Sequence, residues 1–319
     1  MTSQDESSGT LYRGIGYALL AFMLFDTMGA IIKYLGDGYP VQQMAMYRNV
    51  FGLFPSLLVL LFSADWHEAG RPVVIRQWKL GLLRGVFIAG AQFCFYSSVL
   101  YLEFATAVTL AFMAPVLVTA LSVPILKQHV GIWRWIAVAI GFSGVVMIMR
   151  PGSDFFTIYT LLPLGSALGY ALAAVTVRLF DDDVPNATVN LYTTVSALVG
   201  MTIYVVLSSD GYVPVASTED WLWIIVMGTC GGVAVICLIA AYRTVAPSNI
   251  APFEYLGIPF SFAVGYVIFD EAPINTLMPG ALFIVGGGML IIWRQRIHDR
   301  ENKARVLGLD GLEKKTGQH

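Results

Sequence analysis

The chain has 319 residues, of which 57% are hydrophobic and 13% charged, against roughly 25% charged in an average soluble domain. A single soluble domain is excluded on that ground. A formal net charge of -2, from 19 basic and 21 acidic residues, leaves no bulk positive field to hold a polyanion, so nucleic acid is excluded as a partner.

The opening MTSQDESSGTLY is polar and lacks a basic n-region. Residues 1–13 therefore read as a cytoplasmic N-terminal segment, followed by a retained helix and not by a cleaved signal peptide. A helix needs about 20 mostly apolar residues to cross roughly 30 Å of hydrocarbon. Ten runs qualify, at 14–34, 41–62, 80–102, 105–126, 133–149, 159–180, 187–207, 221–242, 250–269 and 277–293. Turn chemistry separates them, as in Gly36-Asp37-Gly38-Tyr39-Pro40, Arg150-Pro151-Gly152 and Ala246-Pro247-Ser248-Asn249. The runs are continuously apolar, without the ten-residue alternation of barrel strands. The fold class is all-α integral membrane protein with ten transmembrane helices.

Arg13, Arg71, Arg76, Lys79, Lys127, Arg134, Arg178, Arg243 and the bases from Arg294 onward fall on one side of these spans; only Lys33 and Arg150 fall on the other. This bias places both termini in the cytoplasm and the chain in the inner membrane. Residues 295–319 read as a charged, solvated tail.

At an offset of 144 residues Pro115 meets Pro259, Gly144 meets Gly288, Arg150 meets Arg294, and 140–150 superposes on 284–294. Two halves, 14–150 and 151–294, each hold five spans. Because five is odd, the second half enters the membrane from the opposite side, which makes the repeat inverted, although glycine-rich apolar helices also match by chance. Inverted repeats are characteristic of secondary transporters with a site near the midplane. Pro115 and Pro259 lie inside spans, where they predict kinks that act as hinges or cavity walls.

Several stretches carry a family resemblance: Phe25-Asp26-Thr27-Met28, Tyr39-Pro40-Val41-Gln42-Gln43, Tyr47-Arg48-Asn49, Ala105 through Leu117, Gly141-Phe142-Ser143-Gly144, and Ala251-Pro252-Phe253-Glu254-Tyr255. Their order and spacing over about 14–294 resemble the drug/metabolite transporter superfamily, and within it the ten-helix EamA-type transporters. The resemblance implies two five-helix halves, a central cavity and transport of small metabolites. One departure is visible. Where the family often has Gly-Glu after the fourth and ninth helices, this chain has Lys127-Gln128 and Asp270-Glu271, a position read as structural.

Four ionisable residues lie within spans: Asp26, Arg48, Arg84 and Glu254. Each costs about 2.5 to 3.5 kcal/mol at a bilayer centre, so each must pair or face a watery cavity. Asp26 and Arg48 are candidates for an ion pair between the first two helices, read either as a structural tie or as a gate or substrate contact. Glu254, in which burial would favour the protonated form and a nearby Arg84 the ionised one, and Asp26 are the candidates for proton-exchanging carboxylates, the alternative for Glu254 being a cap or brace at the helix entrance. Gln92, Tyr96 and Ser97 recur along one face of the third span and predict a cavity lining, with Tyr255 beside Glu254 and with Tyr170 and Phe112 as stacking groups. Tryptophans 78, 133, 135, 221 and 223 read as interfacial anchors. The spacings Gly81 to Gly85 and Gly165 to Gly169 read as packing within the bundle more readily than as dimerisation, so monomer and homodimer both stay open. Asp181-Asp182-Asp183 reads as a solvated charge run.

Cys94, Cys230 and Cys237 have neither metal nor disulfide spacing. The chain has no GxxxxGK[ST] loop, no HExxH, and no histidine in any span, so neither ATP coupling nor membrane proteolysis is supported and no cofactor or metal is expected. The partners are a small-molecule substrate, membrane lipids and, as coupling ion, protons. The function is secondary transport of a small organic metabolite, such as an amino acid or derivative, S-adenosylmethionine, a vitamin or an organic cation. The alternative is a passive channel or lipid-handling protein, although no filter sequence or ring of like groups appears.

Overall fold

A computed structural model describes residues 2–127, 131–153, 156–181, 183–209, 211–244, 250 and 253–306. These residues are helical or in connecting turns, with no strand among them. The helices are α1 (Thr2–Leu35), α2 (Val41–Leu61), α3 (Ala64–Glu68), α4 (Trp78–Tyr101), α5 (Phe104–Ala111), α6 (Ala114–Leu126) and α7 (Ile132–Met149). They continue with α8 (Ile158–Thr176), α9 (Asn186–Leu207), α10 (Thr218–Thr244), α11 (Gly257–Phe269), α12 (Ile274–Leu277) and α13 (Gly280–Val306).

Seven helical stretches are long and apolar enough to cross a membrane, while Trp135–Met149, Gly257–Phe269 and Gly280–Arg294 are apolar but shorter. Large apolar side chains cover the outward faces. Phe54 is 67% exposed, Val267 79% and Leu282 61%. Water would not tolerate so much exposed hydrocarbon over so many helices, whereas lipid does. The chain is an integral membrane protein.

Two helices run further than the expected spans. α1 starts at Thr2, inside the segment expected at 1–13, and α13 continues to Val306, into the tail expected at 295–319. Residues 295–306 are rich in Arg, Glu, Lys and Gln, which favour helix, and extending an existing helix needs no new nucleus. The short helices α3 and α12 fall in loops where no helix was expected. Residues 307–319, Gln128, Asp182, the 246–249 turn and Pro252 lie outside the described residues, as do the side chains of Arg134, Arg243 and Arg296.

The contacts between helices follow a regular pattern. α1 lies along α10 and α4 along α8; α2 packs on α9 and on α10, α4 packs on α9, α7 lies along α13, and α5 meets α11. Close approach depends on small residues. A Cβ added at Gly85 would stand 2.3 Å from Ser196 Cβ and 2.8 Å from the Thr193 carbonyl, so α4 and α9 touch nearly backbone to backbone. At the α7–α13 seam, a Cβ on Gly144 would stand 2.5 Å from the Gly280 carbonyl and 2.9 Å from the Ile284 amide nitrogen.

The expected proline kinks are full interruptions. The run that starts at α5 breaks at Phe112-Met113 before α6, and Tyr255-Leu256 form a turn just before α11. α6 and α11 are each thirteen residues long. Met113 and Leu256 precede them with the same backbone angles (φ -68°, ψ -15°), and left-handed residues close them, Lys127 (φ 52°) and Asp270 (φ 55°). These bounds correspond at a shift of 143, one less than the 144 that aligns the prolines. Pro115 is thus the second residue of α6 and Pro259 the third of α11. At such positions the missing N–H has no intrahelical acceptor to lose, so each proline starts a new helix and does not bend an existing one. Pro115 faces a cavity, whereas Pro259 is exposed and does not form a cavity wall.

The end of the bundle opposite the start of α1 is tied shut by polar contacts. Lys33 forms an ion pair with Glu271, donates to the Leu102 carbonyl at 2.8 Å and lies over the Phe269 ring. Glu271 also accepts from the Phe104 amide at 2.6 Å, capping α5. Beside it, burial pushes the Glu103 carboxyl above the usual carboxylate range. Tyr39 donates to Asp220 at 2.6 Å, a contact that raises the tyrosine's pKa. Gln43 donates to the Val213 carbonyl at 2.8 Å and accepts from the Val213 amide at 2.7 Å. Glu271→Ala removes the partner of a half-buried ammonium and a helix cap together, so a loss of about 2 to 3 kcal/mol is expected. A thermal midpoint in detergent that is unchanged from wild type would show that the tie contributes nothing.

Candidate functional site

The mid-span charges are distributed between two adjoining chambers. One, of about 650 Å³, is lined by Asp26 and Glu254 together with Phe22, Phe25, Phe95, Phe112, Tyr170 and Tyr255, and it reaches Pro115 and Gly288. The other, of about 300 Å³, is lined by Arg48 and Arg84 with Asn49, Gln92, Asn190, Thr193 and Thr194. Phe25, Tyr170 and Leu238 line both and form the partition. The lining residues belong to the middle of the bundle and to the half nearer the start of α1.

Asp26 is 9% exposed, and its Oδ2 has no hydrogen-bond partner. That oxygen would lie 3.6 Å from a Cβ on Gly257, the first residue of α11, and Phe112 borders the same point. The carboxylate therefore stands at both helix breaks, against the positive N-terminal end of α11, which offsets part of its burial cost.

The expected Asp26–Arg48 ion pair does not form. The side-chain ion pairs among the described residues are Lys33–Glu271 and Arg76–Asp181, neither of them in the cavity. Arg48 instead donates through Nη1 to Asn49 at 3.2 Å, and its Nε has no partner. Asn49 is fixed in turn by a reciprocal amide pair with Gln92, at 2.8 and 3.3 Å. The guanidinium lies over Gly231 of α10, where a Cβ would stand 3.2 Å from Nε. Arg84 is not placed to offset Glu254 as expected. Its Nε donates to the Ala173 carbonyl at 3.0 Å and its Nη1 to Thr193 at 2.5 Å, in the other chamber.

Gln92 takes its expected place in the lining, and Tyr255 and Phe112 line the acidic chamber. Tyr96 does not line either chamber. It is 1% exposed and packed in the core, with no hydrogen-bond partner for its hydroxyl, although Gln92 one turn away on the same face lines the chamber. Asp181 of the acidic run also departs from a purely solvated state, accepting from Arg76 at 3.0 Å, although such an exposed pair stabilises little. Sequence reasoning missed Asn190, Thr193 and Gly231. Their roles depend on which helix faces Arg48 and Arg84, and no local spacing encodes that. Among the described residues no three His, Cys, Asp or Glu side chains converge on a cation-sized site.

The profile of the EamA-like transporter family matches the chain twice, over residues 12–150 and 157–293. The S-adenosylmethionine uptake transporter of Rickettsia conorii is 25% identical over 294 residues, covering 92% of this chain and 96% of its own length. The riboflavin transporter of Vibrio cholerae is 28% identical, covering 84% and 83%. The pseudopaline exporter of Pseudomonas aeruginosa is 25% identical, covering 88% and 94%. A crystal structure at 18% identity superposes with a TM-score of 0.60 over 89% of this chain and 96% of its own, and so shares the fold.

Proposed function

Because the chain belongs to the EamA-like transporter family, we propose that it is a secondary active carrier, moving a small organic metabolite across the inner membrane by alternating access. The observation that carries this reading is the chambered central cavity, in which Asp26 Oδ2 and Arg48 Nε have no hydrogen-bond partner, with polar ties across the end beyond it. An enzyme needs a reacting constellation, and a channel needs a continuous filter; a carrier needs an occluded polar site reached from one side at a time.

Ten spans arranged as two inverted five-helix halves, 14–150 and 151–294, fit this function. With α5–α6 and the segment ending in α11 each taken as one broken span, the helix contacts are related in pairs. α1 on α10 corresponds to α8 on α4, α2 on α10 to α9 on α4, and α7–α13, α2–α9 and α5–α11 are their own equivalents. The bias of the basic residues supports cytoplasmic termini, with residues 1–13 and the tail 295–319 on that side in this reading. The cavity then faces inward, and the ties at Lys33–Glu271 and Tyr39–Asp220 close the outer end. Protons are the coupling ion in this reading, with Asp26 and Glu254 as the exchanging carboxylates. The relatives' cargoes, S-adenosylmethionine, pseudopaline and riboflavin, set the size range of candidate substrates.

Proteoliposomes loaded with S-adenosylmethionine, riboflavin or mixed amino acids test the reading. Saturable uptake that shows counterflow and responds to a pH gradient is expected for at least one. Flux that rises linearly with concentration and lacks counterflow would instead establish a passive pore.

A further inference from the structure

The two chambers hold opposite charges that do not meet. Asp26 and Glu254 line one, Arg48 and Arg84 the other, and Phe25, Tyr170 and Leu238 stand between them. In a low-dielectric interior, nearby opposite charges collapse onto each other unless they are held apart. Here they are held apart. The Asn49–Gln92 amide pair and the Gly231 surface fix Arg48, and the two helix breaks fix Asp26. Each also retains unfilled bonding capacity, at Arg48 Nε and Asp26 Oδ2. Arg84 is engaged with Ala173 and Thr193, so it contributes charge, and Arg48 provides the open donor edge.

We infer that the transported solute is an elongated zwitterion, its carboxylate on Arg48 and an organic cation beside Asp26 in the aromatic chamber. An arginine edge suits a carboxylate, and the Phe25, Phe112 and Tyr170 rings offer faces to a cation. The open Oδ2 supplies the cation's counter-charge. A singly charged solute satisfies one chamber and leaves the opposite charge unpaired in the other. The partition requires the two charges of the solute to be spaced apart, not carried on adjacent atoms alone. This inference rests on the carrier reading and adds to it the polarity of the cargo.

The test is a charge and length scan on the purified full-length protein. ω-Trimethylammonio carboxylates with two to six methylenes are compared by calorimetry with the matching alkyl trimethylammonium ions and alkyl carboxylates; L-arginine is compared with agmatine and norleucine. At one chain length the zwitterion is expected to bind at least about tenfold tighter than either singly charged analogue, a difference of about 1.4 kcal/mol. Arg48→Gln should erase its advantage over the cation, and Asp26→Asn its advantage over the anion, with thermal midpoints reporting that both variants fold. Equal or tighter binding of a singly charged analogue overturns the inference, as does an advantage that survives both substitutions. Absence of zwitterion binding at every length, in protein that shows counterflow of another solute, overturns the inference and leaves the carrier standing. The same absence together with linear, counterflow-free flux removes the carrier reading as well.

Discussion

Asp26→Asn is expected to lower pH-gradient-driven accumulation by roughly ten- to a hundredfold, while the protein stays monodisperse in detergent. Asparagine keeps the shape of the side chain and its place between Gly257 and Phe112, so packing is preserved. What it loses is the ability to ionise. A hydrogen bond to a charged group is worth about 1.5 to 3 kcal/mol, and at about 1.4 kcal/mol per decade that spans the stated range. The measurement is initial uptake into proteoliposomes with and without an imposed pH gradient. An Asp26→Asn protein whose uptake and gradient response match wild type would remove the carboxylate from the mechanism. Glu254→Gln, measured alongside, separates the two acids of the chamber.

The second large effect is on stability and arises at the α7–α13 seam. Gly144→Leu must place a side chain where even a Cβ would stand 2.5 Å from the Gly280 carbonyl, 2.8 Å from Phe283 Cβ and 2.9 Å from the Ile284 amide nitrogen. Two of those neighbours are backbone atoms, which cannot rotate away, so the helices must separate. Overpacking of this kind costs about 1 to 3 kcal/mol where a core can adjust, and the upper end is expected here. Gly286→Leu is the control, because a Cβ there meets nothing within 4 Å. The thermal midpoint should drop for Gly144→Leu and stay near wild type for Gly286→Leu. Equal midpoints would mean that the seam is not a close contact.

Much of the helix layout was legible because a membrane span has a length and a composition that local sequence states directly. Most expected runs end within a few residues of the observed helices. The breaks were legible only as prolines, and the proline signal misplaced them. Pro115 and Pro259 align at a shift of 144, while the helices they begin align at 143, since proline tolerates any of the first positions of a helix. Asp26, Arg48, Arg84 and Glu254 stood out by their cost, and all four line the cavity. Their partners did not stand out. Asn49 and Gln92 are 43 residues apart, Arg84 and Thr193 are 109 apart, and such pairings follow from which helices adjoin, not from any local pattern. The same limit explains the missing Asp26–Arg48 pair, since adjacency of two spans in sequence does not say which faces they turn to each other.

The broken helix has an electrical consequence. At about 1.5 Å per residue, the eight residues of α5 reach about 12 Å and the thirteen of α6 about 20 Å. Asp26 stands at the level of that break, roughly a third of the hydrocarbon thickness from the end where α5 begins. A charge leaving it for that surface crosses about a third of the membrane field, and one leaving for the other surface about two thirds. With about 2.3 kcal/mol per elementary charge per 100 mV across the whole bilayer, the two half-journeys differ by close to 0.8 kcal/mol at that potential. In the proposed carrier, with the field taken as uniform, the two half-journeys therefore differ in voltage sensitivity, and water entering the cavity shortens the electrical path on the side to which the cavity faces.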